Sequence, residues 1–298
     1  MMTAPKLRLL SLGAGVQSTT LALMSAVGEL PTLDGAIFAD TGWEPATVYA
    51  HLDRLEQVLA DADIPLYRVQ QGNLREDTIN AAHRYASIPY FIRNPHGSAG
   101  IGRRQCTSEY KLAPINRKVR ELLGAKPPHF RRVPSRRVAE QWIGFSLDEI
   151  HRVSDKNRVS YVRNSYPLLD RAMDRKACQR WLRAHGWTSV AKSTCIGCPF
   201  HGNAQWRRLR DESPAEWADA VAFDAAIRKG SARGRPLNGE AFLHRSRIPL
   251  DRAPIDHVTA HEWSERQVDI FDLIEDGDPD GCSPYGCRSG ASDEGRSA

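Results

Sequence analysis

Leu7-Arg8-Leu9-Leu10-Ser11-Leu12-Gly13-Ala14-Gly15-Val16-Gln17-Ser18-Thr19 is the stretch on which the architecture turns. The apolar run over residues 7–12 reads as a strand buried on both faces. The small residues after it let backbone N–H groups approach an anion, and a helix over 18–27 adds a favourable N-terminal dipole. Ser18 and Thr19 are expected to offer hydroxyls to the same phosphate. The loop lacks the Gly-Lys-Ser/Thr of a Walker A motif, and Ser18 stands where a dinucleotide fingerprint has its third glycine. Lys6 and Arg8 ahead of the apolar run imitate an export signal. A helix follows at once without a cleavage-like site, so a strand entering a glycine loop, in a cytoplasmic protein, is expected.

Strands then alternate with helices: a strand over 35–39, a helix over 46–60 carrying Val48, Leu52, Leu55 and Leu59, and a strand over 64–69. That rhythm predicts an α/β fold, doubly wound about a mainly parallel sheet. Further helices are expected over 73–85 (Asn73 as N-cap), 112–123, 174–185, 203–210 and 214–229, with a strand over 138–145. Residues 93–102 read as a loop and 230–256 as irregular. The expected division is a nucleotide-binding domain over 1–170, a helical, cysteine-containing part over 171–275, and an acidic tail over 276–298. The whole chain, 298 residues with 41% hydrophobic and 26% charged, is ordinary globular composition, and no stretch approaches the roughly 18 apolar residues of a membrane span.

Charge is uneven. Residues 103–137 hold eleven Lys/Arg against two acids, Glu109 and Glu121, whereas residues 268–298 hold eight acids against two arginines. A basic stretch attracts phosphate or nucleic acid, and an acidic end is usually solvated. Six cysteines occur, at 106, 178, 195, 198, 282 and 287. Without an export signal, Cys195-Ile196-Gly197-Cys198 reads as a metal, cluster or redox motif, since two thiols two residues apart can clamp one centre from a single turn. Cys106 supplies a distant third thiol. Cys178, beside Trp181, reads as a core thiol. His83, His96, His185, His201 and His244 show no paired metal spacing and are expected at the surface or at caps.

A second loop, Asp40-Thr41-Gly42-Trp43-Glu44, follows the second strand at the edge where open α/β sheets bind ligands. With the first loop it resembles the phosphoadenylyl-sulfate (PAPS) reductase family of the PP-loop adenine-nucleotide α-hydrolase group, whose common loop is Ser-Gly-Gly-x-Asp-Ser. Gln17 in place of Asp is similar to sulfonucleotide reductases; Ser18 is similar to ATP-cleaving members. Arg103-Arg104-Gln105-Cys106 through Lys111, and Gly144 through Asp148, Glu149 and Arg152, extend the resemblance over residues 7–200. It implies a nucleotide site of Ser11, Gly13, Gly15, Gln17, Ser18, Thr19, Asp40, Thr41, Gly42, Gly144, Asp148, Glu149 and Arg152. Arg103, Arg104 and Lys111 would offset charge at the reacting centre. It also implies a [4Fe–4S] cluster on Cys106, Cys195 and Cys198, with Cys282 and Cys287 as a catalytic pair or a source of the fourth ligand.

The implied activity is sulfur chemistry with PAPS, adenylyl sulfate or ATP. A reductase would release sulfite and need an electron donor. An ATP pyrophosphatase would use magnesium, a sulfur donor protein and an acceptor such as a nucleic acid. The reductase family's C-terminal Glu-Cys-Gly-x-His-like motif has no match at Gly281-Cys282-Ser283. An alternative of another class is a non-catalytic nucleic-acid-binding protein whose zinc is held by Cys195, Cys198, Cys282 and Cys287.

Overall fold

A computed structural model describes residues 7–80, 82–83, 88–154, 159–190, 192–230, 237–260 and 262–263. The elements run β1 (Leu7–Leu12), α1 (Val16–Ala26), β2 (Gly35–Asp40), α2 (Ala46–Asp61), β3 (Leu66–Gln70), α3 (Leu74–Ile79), β4 (Phe91–Arg93), β5 (Ala99–Ile101), α4 (Ala113–Leu122), β6 (Ala139–Ile143), β7 (Val162–Ser165), α5 (Pro167–Asp170), α6 (Arg175–Ala184), α7 (Asn203–Glu212), α8 (Pro214–Ala226) and β8 (Glu240–Phe242). A π-helical turn over Thr107–Leu112 leads into α4, and a 3₁₀ turn covers Leu147–Arg152.

Five strands form a sheet in the order β3-β2-β1-β6-β7, and every neighbouring pair is parallel. The chain winds outward from β1 to β3, then crosses under α4 to β6 on the other side of β1. The winding direction therefore reverses between β1 and β6, which opens a crevice at their carboxyl ends.

Alternation along the strands sorts the two faces. Leu10, Leu12, Ala36, Phe38 and Trp142 pack with Leu21, Leu52, Leu55 and Leu59 of α1 and α2, and with Cys178 and Leu182 of α6. Leu9, Ile37, Ala39 and Ala139 pack under Ile115, Val119 and Leu123 of α4 and its end. Each buried Leu or Ile contributes about 1.5–3 kcal/mol through removal from water. The fold is thus doubly wound, as the sequence implied. Because α6 closes the first core, an expected boundary at residue 170 cuts across that core.

A third cluster lies beyond the carboxyl edge. It joins Trp206, Ala220 and Phe223 of α7 and α8 to Trp43, Leu74, Ile88, Tyr90, Cys106 and Cys195. A small antiparallel sheet, β5-β4-β8, borders it. The segment expected as a loop over 93–102 is therefore largely a hairpin, and the irregular 230–256 stretch contains β8. The helix expected over 73–85 ends at Ile79; Asn73 does cap it, accepting a hydrogen bond from Glu76 N at 3.0 Å. Among the described residues no helix is long and apolar enough to cross a membrane.

Candidate functional site

The loop after β1 is shaped by its own side chains. Ala14 takes φ 58°, and Gly15 enters α1 with no side-chain cap on the first N–H groups of that helix. Ser18 Oγ accepts from Gly13 N at 3.1 Å and donates to Gly15 O at 3.3 Å, closing the loop on itself. Gly144, just past β6, lies against the same backbone: a Cβ there would come within 3.0 Å of Ser18 N. Thr19 departs from expectation. It is fully buried and its hydroxyl sits 2.9 Å from His51 Nε2, so it belongs to the α1–α2 packing and not to a phosphate.

Gln17 reaches the opposite way, into a buried polar network. Its Nε2 donates to Ser146 Oγ at 3.3 Å and to Glu149 Oε2 at 3.2 Å, while its Oε1 accepts from Arg175 at 3.3 Å. Arg152 forms a buried ion pair with Glu149 and lies over the Phe145 ring. Asp148 accepts from the Arg175 N–H at 2.9 Å. Burial pushes the Glu149 carboxyl up, and Arg152 opposes that shift. Gln17, Asp148, Glu149 and Arg152, read from sequence as nucleotide contacts, are tied together with Ser146 and Arg175 and hold the loop and the 3₁₀ turn together.

The turn after β2 is similarly fixed. Asp40 Oδ1 accepts from Gly42 N at 2.7 Å and from Tyr49 OH at 2.9 Å, and Gly42 takes φ 71°. Burial and the Asp40 carboxylate push the Tyr49 phenol up. Thr41 donates to the buried Glu44 carboxylate at 2.8 Å and lies 3.3 Å from Cys195 Sγ; that thiol donates to Glu44 at 3.4 Å. The Asp-Thr-Gly turn therefore touches the cysteine motif directly.

The cysteine turn is built onto Trp43. Ile196 N donates to Trp43 O at 2.9 Å, and Gly197 lies so close to the indole that a Cβ would meet ring carbons at 2.1 Å. Trp43 is itself anchored through Nε1 to Asp219 at 2.7 Å. His201 donates from Nε2 to Cys195 O at 2.9 Å and stacks on Trp206.

Cys106, Cys195 and Cys198 are buried thiols outside any disulfide, and all three line one cavity. Trp43, Leu74 and Phe200 make its walls apolar, and Arg104 and Lys111 also line it. Arg104 lies 4.9 Å over the Phe200 ring. Arg103 is exposed and does not line the cavity. No residue of the first loop lines the cavity; Gly15 approaches Ser193, two residues before Cys195. Among the described residues, no three His, Cys, Asp or Glu side chains are gathered around a point for a single metal ion. Cys282 and Cys287 lie outside the described residues.

Other expectations resolve plainly. Cys178 is fully buried and its thiol is pushed up to about 12 by burial, which marks a core thiol. His201 and His244, expected at the surface or at caps, are buried: His201 stacks on Trp206, and His244 is bonded between Ser246 and Asn203. His83, His96 and His185 are exposed. Glu44, Ser146 and Arg175 were not legible as site residues, since each meets a partner distant in sequence, and His201, whose partners Cys195 and Trp206 are close in sequence, carried no spacing signal. No family model matches the chain, and no curated protein matches it.

Proposed function

We propose that the chain binds an adenine nucleotide at the loop 13–18 and performs sulfur chemistry beside an iron–sulfur cluster held by Cys106, Cys195 and Cys198. The observation that carries this reading is the shared cavity: thiols 89 residues apart in sequence line it together, Thr41 of the Asp-Thr-Gly turn lies against Cys195, and Gly15 of the first loop approaches Ser193 of the cysteine segment. The donor set suits such a cluster, with three thiols, water-excluding walls and two cationic side chains for the negative charge of bound thiolates. When bound, the cluster supplies electrons or an iron site for a sulfur species. The protein's own groups do the rest. The N–H groups at the start of α1 face the nucleotide phosphates. Arg104 and Lys111 offset charge developing on transferred oxygens. Thr41, between Glu44 and Cys195, orients the nearest ligand.

Two reactions use this arrangement. One reduces a sulfonucleotide and releases sulfite. The other uses ATP and magnesium to adenylate an acceptor, releases pyrophosphate, and lets sulfur displace the adenylate. Anaerobic incubation of reconstituted protein separates them: sulfite from PAPS or adenylyl sulfate plus reductant supports the first, and pyrophosphate from ATP, magnesium and nucleic acid supports the second. Absence of both products, with neither nucleotide binding at millimolar concentration, overturns the proposal.

A further inference from the structure

The basic stretch of the sequence divides in space. Arg104 and Lys111 lie at the cysteine cavity, on the carboxyl edge of the sheet. The chain then runs along α4, and residues 123–138 lie at the amino edge, where Ala139 begins β6 beside Leu7 of β1. A strand of six residues spans roughly 20 Å, so these are two surfaces at opposite ends of the sheet.

The amino-edge loop has an unusual charge environment. Residues 122–139 contain Lys126, Arg131, Arg132, Arg136 and Arg137 and no carboxylate. The flanking acids are already engaged, Glu121 with Lys118 at 2.9 Å and Glu140 with Arg8 at 3.2 Å. Lys126, Arg131, Arg132 and Arg136 are exposed and form no ion pair among the described residues. The loop is nonetheless held in shape. Arg120 binds Phe130 O and the Tyr161 hydroxyl, Arg137 binds Leu123 O at 2.9 Å, and Phe130 and Arg136 both take positive φ. Such left-handed positions persist when surrounding contacts impose them. An ordered loop thus presents unpaired guanidinium groups to solvent.

We infer that this loop docks the phosphate backbone of a nucleic acid. Guanidinium forks match phosphate oxygens bidentately, and three of the four exposed cations are arginines. No large hydrophobic residue of the loop is exposed, so it lacks the apolar anchors of a membrane-inserting or protein-binding surface. The inference needs no cluster, nucleotide or turnover, so its outcome is independent of the chemistry proposed for the cavity.

The test is anisotropy of a fluorescein-labelled oligonucleotide, single-stranded and duplex, with the full-length protein across a salt series. The triple variant R131A/R132A/R136A is compared with R208A, which removes an exposed arginine of α7, and circular dichroism checks that both are folded. The triple variant is expected to flatten the slope of log affinity against log salt by about 2 for the single strand and nearly 3 for the duplex. R208A is expected to leave the slope unchanged. The inference fails if the wild-type protein does not bind at low salt, if the triple variant keeps the wild-type slope, or if R208A lowers it equally. Binding to phosphatidylserine vesicles or polyglutamate that the oligonucleotide cannot displace also overturns it.

Discussion

Gln17 shows how one side chain decides whether the first loop can form. Its amide donates to Glu149 and accepts from Arg175, so a neutral group with both functions fits between a carboxylate and a guanidinium. Gln17→Glu keeps the shape but sets a second carboxylate against Glu149 and replaces the donated hydrogen bond with repulsion. Such a buried conflict costs on the order of 1–3 kcal/mol. The loss should be full at pH 8, where both carboxyls are charged, and shrink as acid protonates one of them. Denaturant melts of the variant and wild type at pH 8 and pH 5 test this; equal destabilisation at both would contradict it. Thr19 teaches the complementary lesson. Adjacent positions on a helix point about 100° apart, so Ser18 faces the loop while Thr19 faces His51, and adjacency in sequence conceals the difference.

At the scale of elements, the site is a contact between two turns. The turn after β2 carries Trp43, and the cysteine turn lays Gly197 on its ring. Gly197→Ala would drive a methyl group into the indole, which Asp219 and Phe223 hold in place. The expected result is a cysteine turn displaced from Cys106, a stability loss of about 1–3 kcal/mol, and loss of most bound iron. Iron content and a denaturant melt read both, and wild-type values in each would refute the packing argument.

The same scale explains what was legible beforehand. β1 and β2 show in the sequence because strands covered on both faces are written as apolar runs, whereas β3, at one edge of the sheet and only partly buried, shows through its place in the strand–helix alternation. β7 (Val-Arg-Asn-Ser) lies at the sheet edge and carries no such run, and β4, β5 and β8 are three residues each and gain their structure only by pairing. The cysteine spacing was readable locally. The Trp43–Gly197 and Gln17–Glu149 contacts were not, because each joins segments more than 130 residues apart.

Across the whole molecule, two buried histidines make stability depend on acidity. His51 sits between Thr19 and Trp187. His244 accepts from Ser246 at Nδ1 and donates from Nε2 to Asn203, whose amide nitrogen binds Pro254 O and His257 O. Burial lowers both from the ordinary 6.5 to about 4. Between those values the unfolded chain binds protons that the folded chain refuses, so stability rises with pH there. The contribution is complete above about pH 6.5 and is lost as pH falls toward 4, on the order of 2–3 kcal/mol per histidine. Melting temperatures at pH 7.5, 6 and 5 should therefore fall in that order, and a flat series would contradict the burial argument.

We propose that Cys106, Cys195 and Cys198 hold one iron–sulfur centre although α4, β6, β7 and α6 intervene between them in the chain. The most direct test is the metal content and visible absorption of anaerobically purified wild-type protein and of the Cys106→Ala, Cys195→Ala and Cys198→Ala variants. Wild-type protein is expected to be brown with about four irons per chain, and the variants colourless and iron-free with the circular dichroism of the folded sheet. Stoichiometric zinc without iron in the wild type, or a Cys106→Ala variant that keeps full iron and colour, would contradict the proposal.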